Sequence, residues 1–399
     1  MIPALTPNYN RADLAFERGE GAWLWTTDGR RFLDFGSGIA TASLGHGNKH
    51  LADAIADQAH KVMHVSNLYR IPQAEMLAQR LVAATFADTV FFCNSGAEAN
   101  EGMIKMVRRA MFANGKPERF KIICFEGAFH GRTLATLAAT GNHHYLEGFG
   151  PPVEGFVHVP MNNLNAVRDA IDGQTAAIMV EPVQGEGGIR SADLDFLRGL
   201  RTACDEFGIF LALDEIQCGM GRTGKLFGHE WAGIEPDVIS AAKGIGGGFP
   251  LGAVLAKEAV GKYLIPGTHG TTYGGNPLAC TAGNAVLDVI LAPGFLDDVV
   301  RKGNVLMAEL RKIVTEFPTV FSEARGKGLI LGLKCVVPAG EVQAAFTAQG
   351  LMTVTAGDNV LRIVPPLVIT DSDIAEAVAM MRRGAATCVP AQGAAQAAQ

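Results

Sequence analysis

A chain of 399 residues exceeds the roughly 250–300 at which one hydrophobic core stops growing, so a large domain with a smaller companion is expected. Its net charge of −6 excludes the basic surface that nucleic acid or an acidic membrane would demand, and leaves small molecules as the expected partners. No apolar run approaches the roughly 18 residues of a membrane span, and no basic flank leads into an apolar stretch after Met1, so neither a membrane helix nor a signal peptide is expected.

Near the start, Trp23-Leu24-Trp25 and Arg31-Phe32-Leu33 flank Asp28-Gly29 in the pattern of a hairpin, and residues 1–50 read as the first part of a small domain. From 51 to 285 short apolar runs alternate with helical patterns: Thr89 to Cys93, Lys121 to Phe125, Ala176 to Val180, Ile209 to Leu213 and Asp237 to Ser240. That alternation is the signature of an α/β domain with a mostly parallel sheet covered by helices. Polar residues follow each run, at the strand ends where such sheets bind ligands. Residues 286–385 change to a long helix, a strand around Leu329 to Leu333 and a helix from Ser372 to Arg382, an α+β pattern that completes the small domain. Residues 386–399, rich in Ala, Gln and Gly, have little to bury and are expected to be disordered. The seven cysteines form no C-x-x-C pair, and Cys93, Cys124 and Cys204 lie in apolar stretches, as reduced thiols of a cytoplasmic protein do.

Four segments carry chemistry. Asn94-Ser95-Gly96-Ala97 lies where a strand turns into a helix whose apolar face holds Ala99, Met103, Met106 and Ala110, so free N–H groups and a glycine face an incoming phosphate; the alternative is a capping box of Ser95 and Glu98. Phe129 offers a flat ring and Arg132 a guanidinium able to clamp a carboxylate, although a core Phe and a surface Arg fit the same residues. Asp214 ends a buried strand and needs a cationic partner, which a protonated pyridine nitrogen would provide; otherwise it is a helix cap. Lys243 emerges beside Gly244-Ile-Gly-Gly-Gly248, and partial burial would make it nucleophilic toward an aldehyde cofactor, where most lysines are solvated surface charges. Those glycines match a dinucleotide fingerprint poorly, because Phe249-Pro250 interrupts the helix it requires and no acidic residue lies in 263–270. Finally, His46/His50 and His60/His64 have the spacing of metal ligands on a helix but lack a neighbouring Glu or a third ligand, so no metal is expected.

Taken together, Asn94-Ser-Gly-Ala-Glu-Ala-Asn-Glu101, Phe129-His-Gly-Arg-Thr133, Glu181-Pro-Val-Gln-Gly-Glu186, Leu213-Asp-Glu-Ile-Gln217, Ala241-Ala-Lys-Gly244 and Gly270-Thr-Thr-Tyr-Gly-Gly-Asn-Pro277 resemble class III pyridoxal-phosphate aminotransferases, and most closely the acetylornithine aminotransferases. The resemblance runs from about Gly21 to Arg383. It implies the type I aminotransferase fold and a homodimer with shared active sites. Ser95, Gly96 and Ala97 would then hold the phosphate of pyridoxal 5'-phosphate, Phe129 would stack on its ring, Asp214 would face the ring nitrogen, Gln217 the ring hydroxyl, Lys243 would form the Schiff base, and Thr272 would reach the phosphate across the dimer. Arg132 and Thr271 would bind the donor's distal carboxylate, and Arg362, partnered by Glu186, the α-carboxylate of glutamate. The implied reaction moves the side-chain amine of N2-acetyl-L-ornithine to 2-oxoglutarate, as in arginine biosynthesis. Succinylornithine, succinyl-diaminopimelate, ornithine and 4-aminobutyrate are alternative donors of the same class, and a nicotinamide-dependent oxidoreductase is a distant alternative. Ile39 stands where ornithine aminotransferases carry Tyr, which weighs against free ornithine, and Cys218 where many acetylornithine enzymes carry Thr.

Overall fold

The computed structural model describes residues 2–389. Apolar residues on the central strands alternate between two cores: Ile122 and Cys124 pack into one, Ile123 and Phe125 into the other. A strand's side chains point to opposite faces in turn, so a run apolar at every position fits only a sheet covered on both sides. Helix Gly96–Ala113 covers one face with Ala99, Met103, Met106 and Ala110, the stripe expected from the sequence, and helix Leu194–Phe207 covers the other with Phe196, Leu197, Leu200 and Cys204.

This sheet has seven strands in the order Thr89–Cys93, Gly252–Ala256, Val238–Ala241, Phe210–Asp214, Thr175–Val180, Lys121–Phe125 and Phe156–Val159. Five coincide to within a residue with the expected runs. The sequence reading lacks Phe156–Val159, at an edge, and Gly252–Ala256, which is antiparallel to both of its neighbours. That antiparallel strand returns the chain to the sheet directly after Lys243, so the segment between them borders the strand ends twice.

The expected hairpin forms from Trp23–Thr26 and Arg31–Asp34, and Arg31–Asp34 pairs in parallel with Leu351–Met352, bringing the two chain ends into one sheet. A further antiparallel sheet runs Phe321–Lys327, Ile330–Cys335, Val360–Ile363, Val354–Ala356. The last helix, Asp371–Thr387, extends beyond Ala385, so residues 386 and 387 are helical rather than part of a disordered tail. Thr370 accounts for its start, accepting from Asp373 N in a capping box. Residues 390–399 of that expected tail lie outside the described residues. No single helix among the described residues is long and apolar enough to cross a membrane.

Candidate active site

Strand ends of the seven-stranded sheet meet residues 248–251 around a cavity of about 420 Å³. Ser95, Gly96, Ala97, Phe129, Arg132, Asp214, Gln217 and Lys243 all line it, so eight side chains or backbones singled out from sequence come together.

Asp214 closes strand Phe210–Asp214 and is 3 % exposed. Its Oδ2 accepts from Asn100 Nδ2 at 2.7 Å and His130 Nδ1 at 2.8 Å, and its Oδ1 from Ile216 N at 3.0 Å. Ser240 Oγ donates to Asn100 Oδ1 at 2.6 Å, which fixes the amide's orientation. Burial alone would lower the His130 pKa, but the hydrogen bond and charge of Asp214 outweigh it and raise it. His130 Nε2 is buried without a partner among the described residues. Glu181, at the end of the next strand, accepts from Phe129 N at 2.9 Å, and burial together with Asp214's charge lifts it out of the ordinary carboxylate range. Asn100, His130, Glu181 and Ser240 are absent from the assigned site residues. Three of them sit inside the quoted motifs, and what assigns them is contact across the sheet.

Lys243 occupies the left-handed region at φ 50°, a conformation costing an L-residue about 1–2 kcal/mol. The surrounding backbone imposes it: Ser43 Oγ donates to Gly244 O at 2.9 Å, and the following turn passes through Gly247 at φ 60°. Burial, and then the charge of Arg362, push the amine down to about 8. The cation is disfavoured, so the free amine predominates above that pH. In cofactor-free protein, aldehyde modification of the Lys243 peptide, measured by mass spectrometry, should rise with pH and be half-maximal at about 8; a midpoint at the ordinary 10.5 would show a solvated lysine instead.

Ser95, which also lines the cavity, caps helix Gly96–Ala113 by accepting from Glu98 N at 3.2 Å. The capping box is only half made, because the Glu98 carboxylate turns to the backbone and side chain of Asn94. The N–H groups of Gly96 and Ala97 therefore remain available, and the helix dipole adds partial positive charge. A Cβ on Gly96 would meet Ile216 Cγ2 at 2.9 Å, so this close approach requires glycine.

Arg362 is 1 % exposed and donates from Nη2 to Glu186 Oε2 at 3.1 Å and from Nη1 to Gln217 Oε1 at 3.0 Å. Arg132 is exposed, lies 3.9 Å over the Tyr145 ring, and has no carboxylate within ion-pair distance among the described residues. Thr271 and Thr272 line a second cavity with Glu98, Glu101 and Tyr273, meeting the first at Asn94, whose Nδ2 donates to Thr271 Oγ1 at 3.3 Å. Ile39 stands at φ 62° on the left-handed turn Ser37–Ala40, which Asp34 Oδ1 secures by accepting from Gly36 N at 2.9 Å and Ser37 N at 2.7 Å. It does not line the cavity, whereas Thr41 just beyond it does. Cys218 is fully buried and turned to Glu215 Oε2 at 3.1 Å.

The histidine pairs separate. Helix Lys49–Lys61 begins after the cap Asn48, so His46 and His64 fall outside it, and His46 and His50 bind Asp34 and Asp288 respectively. Neither pair shares a helical face, contrary to what their spacing would give on a helix.

A family model for class-III aminotransferases matches residues 5–384. The chain belongs to the class-III aminotransferase family. Among curated members, the acetylornithine aminotransferase of Rhodobacter capsulatus is 56 % identical over 387 residues, covering 97 % of this chain and 98 % of that protein. The acetylornithine aminotransferase of Mesorhizobium japonicum is 56 % identical over 382 residues, covering 96 % of each. The crystal structure of N-acetylornithine aminotransferase from Stenotrophomonas maltophilia superposes with a TM-score of 0.84 at 39 % identity, over 96 % of this chain and 98 % of that one. The ornithine aminotransferase of Toxoplasma gondii superposes with a TM-score of 0.93 at 28 % identity, over 96 % and 93 %. These neighbours establish the α/β fold of the family.

Proposed function

We propose that this chain transfers the side-chain amine of N2-acetyl-L-ornithine to 2-oxoglutarate, giving N-acetylglutamate 5-semialdehyde and glutamate, with pyridoxal 5'-phosphate as cofactor and arginine biosynthesis as its setting. The observation that carries it is the unequal state of two arginines. Arg132 has no carboxylate partner among the described residues, while Arg362 is paired with Glu186. A donor that reacts at its side-chain amine brings one carboxylate, at its far end, and one free guanidinium suits it. Glutamate reacts at its α-amine and brings a second carboxylate next to the reacting carbon, for which Arg362 must leave Glu186. The names of the most similar relatives support the same donor.

The cavity fits the cofactor on the chemistry of its donors. An anion cradle of first-turn N–H groups lies at one wall, with a glycine where a Cβ would collide with Ile216. The Asp214 carboxylate, bonded to a His130 whose Nε2 is orphaned among the described residues, and the low-pKa amine of Lys243 line the same cavity. When bound, pyridoxal phosphate supplies an aldehyde that takes up an amine and a cationic ring that accepts electron density from a neighbouring C–H bond. Ser95, Gly96 and Ala97 would hold its phosphate, Phe129 would cover its ring, Gln217 would face the ring hydroxyl, and Asp214 would keep the ring nitrogen protonated. Lys243 Nζ would hold the aldehyde carbon and, once displaced by substrate, carry a proton between the cofactor and substrate carbons. Asn100 and His130, both hydrogen-bonded to Asp214 Oδ2, hold that carboxylate in place.

A second copy of the chain completes this reading. Asn67 Nδ2 donates to Thr271 O at 3.1 Å and Gly274 O at 2.9 Å, joining two segments that expose Leu68 (88 %), Tyr69 (71 %) and Tyr273 (61 %) beside the cavity of Thr271 and Thr272. An apolar surface of that kind suits a homodimer in which the partner's copies of these threonines reach the phosphate and the donor carboxylate.

The test is a donor panel with 2-oxoglutarate as acceptor, run on the native protein and on Arg362→Ala. Acetylornithine is expected to be the fastest of acetylornithine, succinylornithine, ornithine, 4-aminobutyrate and succinyl-diaminopimelate. In single-turnover half-reactions, Arg362→Ala should lose about tenfold or more with glutamate, the scale of a charge-assisted hydrogen bond, and less with acetylornithine. A faster alternative donor, or equal losses in the two half-reactions, would sink the donor assignment or the role of Arg362 respectively.

A further inference from the structure

Glu186 sits in the loop between short paired strands Val183–Gln184 and Arg190–Ser191. Arg362 lies on strand Val360–Ile363, which forms a hairpin with Val354–Ala356. The tip of that second hairpin, Gly357-Asp358-Asn359, turns through two left-handed residues, Asp358 at φ 56° and Asn359 at φ 51°. The two hairpins are joined at more than the Arg362–Glu186 pair. Gly357 N donates to Glu186 O at 2.7 Å, and Arg190 Nη2 lies 3.1 Å from Asp358 Oδ2. Asp358 is in turn tied to its own sheet by Arg325, at 2.7 Å, and by Lys334. Gly188, at φ 100°, permits the approach: a Cβ there would meet Gly357 O at 2.6 Å and Asp358 Cβ at 3.1 Å.

We infer that Asp358 is a positioning residue for substrate selection: with Arg190, Arg325 and Lys334 it latches the two hairpins together, so that Glu186 is held against Arg362 until a second substrate carboxylate displaces it. The inference rests on the reading of Arg362 and Glu186 given above. One carboxylate serves three cations. Without it, Arg190 and Lys334 lose their carboxylate and Arg325 keeps only Glu323, at 3.4 Å, so repulsion among the three cations drives the Glu186 loop away from the hairpin that carries Arg362. With the latch intact, the backbone bond at Gly357 keeps the loop in register, and admission of a dicarboxylate requires only a side-chain swing of Glu186.

Asp358→Asn, which suits the same left-handed backbone, tests this in single-turnover half-reactions of the holoenzyme. The ratio of kcat/KM for acetylornithine to kcat/KM for glutamate should fall about fivefold, the scale of a partly exposed ion-pair network. In a Glu186→Ala background the same substitution should leave the ratio unchanged, since Asp358 acts through Glu186. Exchange of the Gly357 amide with deuterium should quicken by a similar factor. If Glu186→Ala shifts the ratio but Asp358→Asn does not, the latch is wrong and the pairing of Arg362 with Glu186 stands. An equal shift in both backgrounds, or unchanged exchange at Gly357, also overturns it. If Glu186→Ala itself leaves the ratio unchanged, both fall. Arg190→Gln, which cuts only the arm between hairpins, carries the same expectations should Asp358→Asn not fold.

Discussion

Lys243→Ala is expected to abolish amine transfer while leaving the protein folded. The native amine is partly buried, has no hydrogen-bond partner among the described residues, and is destabilised as a cation by its surroundings. Truncating it removes an unfavourable charge and leaves the left-handed backbone at 243 unchanged in kind, so thermal stability should stay close to native. Activity is another matter. A positioned proton carrier contributes on the order of 10²–10⁴-fold by itself, and the same side chain is the proposed covalent tether, so the combined loss should exceed the upper end of that range. Lys243→Arg separates charge from proton transfer. A guanidinium keeps the positive charge but does not release its proton at these pH values, and it should be as inactive as alanine. Single-turnover rates with glutamate measure both variants, and borohydride-treated native protein should carry a pyridoxyl mass on the Lys243 peptide. Either variant retaining a tenth of the native rate, or no such mass, would refute the assignment.

Asp214→Asn should cost nearly as much in rate, and stability as well. The carboxylate accepts three hydrogen bonds from protein donors on two oxygens. An amide has one acceptor oxygen, so either Ile216 N–H or the Asn100 and His130 donors would face an NH2 group instead. His130 would also lose the charge that raises its pKa, and would stand in the interior as a neutral ring. Breaking a buried ion pair by removing one partner costs about 3–5 kcal/mol. The same energy missing from a transition state would correspond to roughly 10²–10⁴ in rate. The expected result is therefore a cavity that still forms, with weakened cofactor retention, a lowered melting temperature and a rate down by that factor. Stopped-flow half-reactions and thermal unfolding read the two effects separately. A variant within tenfold of native in both half-reactions would show that the carboxylate does not support the reacting ring.

Five of the seven central strands and eight cavity-lining positions were legible because each depends on local pattern. A buried strand ending in a polar residue is visible in a dozen letters, as at Ile209 to Asp214. What escaped depends on pairing across the chain. Gly252–Ala256 is a short apolar run whose letters do not encode direction, and its antiparallel course follows from the turn that Gly247 and Gly248 make before it. Asn100 and Ser240 look like ordinary polar residues of a helix and a strand; only the folded sheet brings them to Asp214. The four-residue histidine spacing gives one helical face only where a helix spans both residues, and the cap Asn48 sets the helix start beyond His46.

The strand Gly252–Ala256 gives the lysine an unusual mooring. Because the chain leaves the sheet on one strand and re-enters on the adjacent one, the arc bearing Lys243 is fastened at both ends, more like a bridge than a jetty. Lateral drift of that arc would have to drag two strands with it. The amine consequently swings on its own four carbons while its anchorage stays fixed, and the reach of those four carbons sets which atoms inside the cavity it can serve in succession.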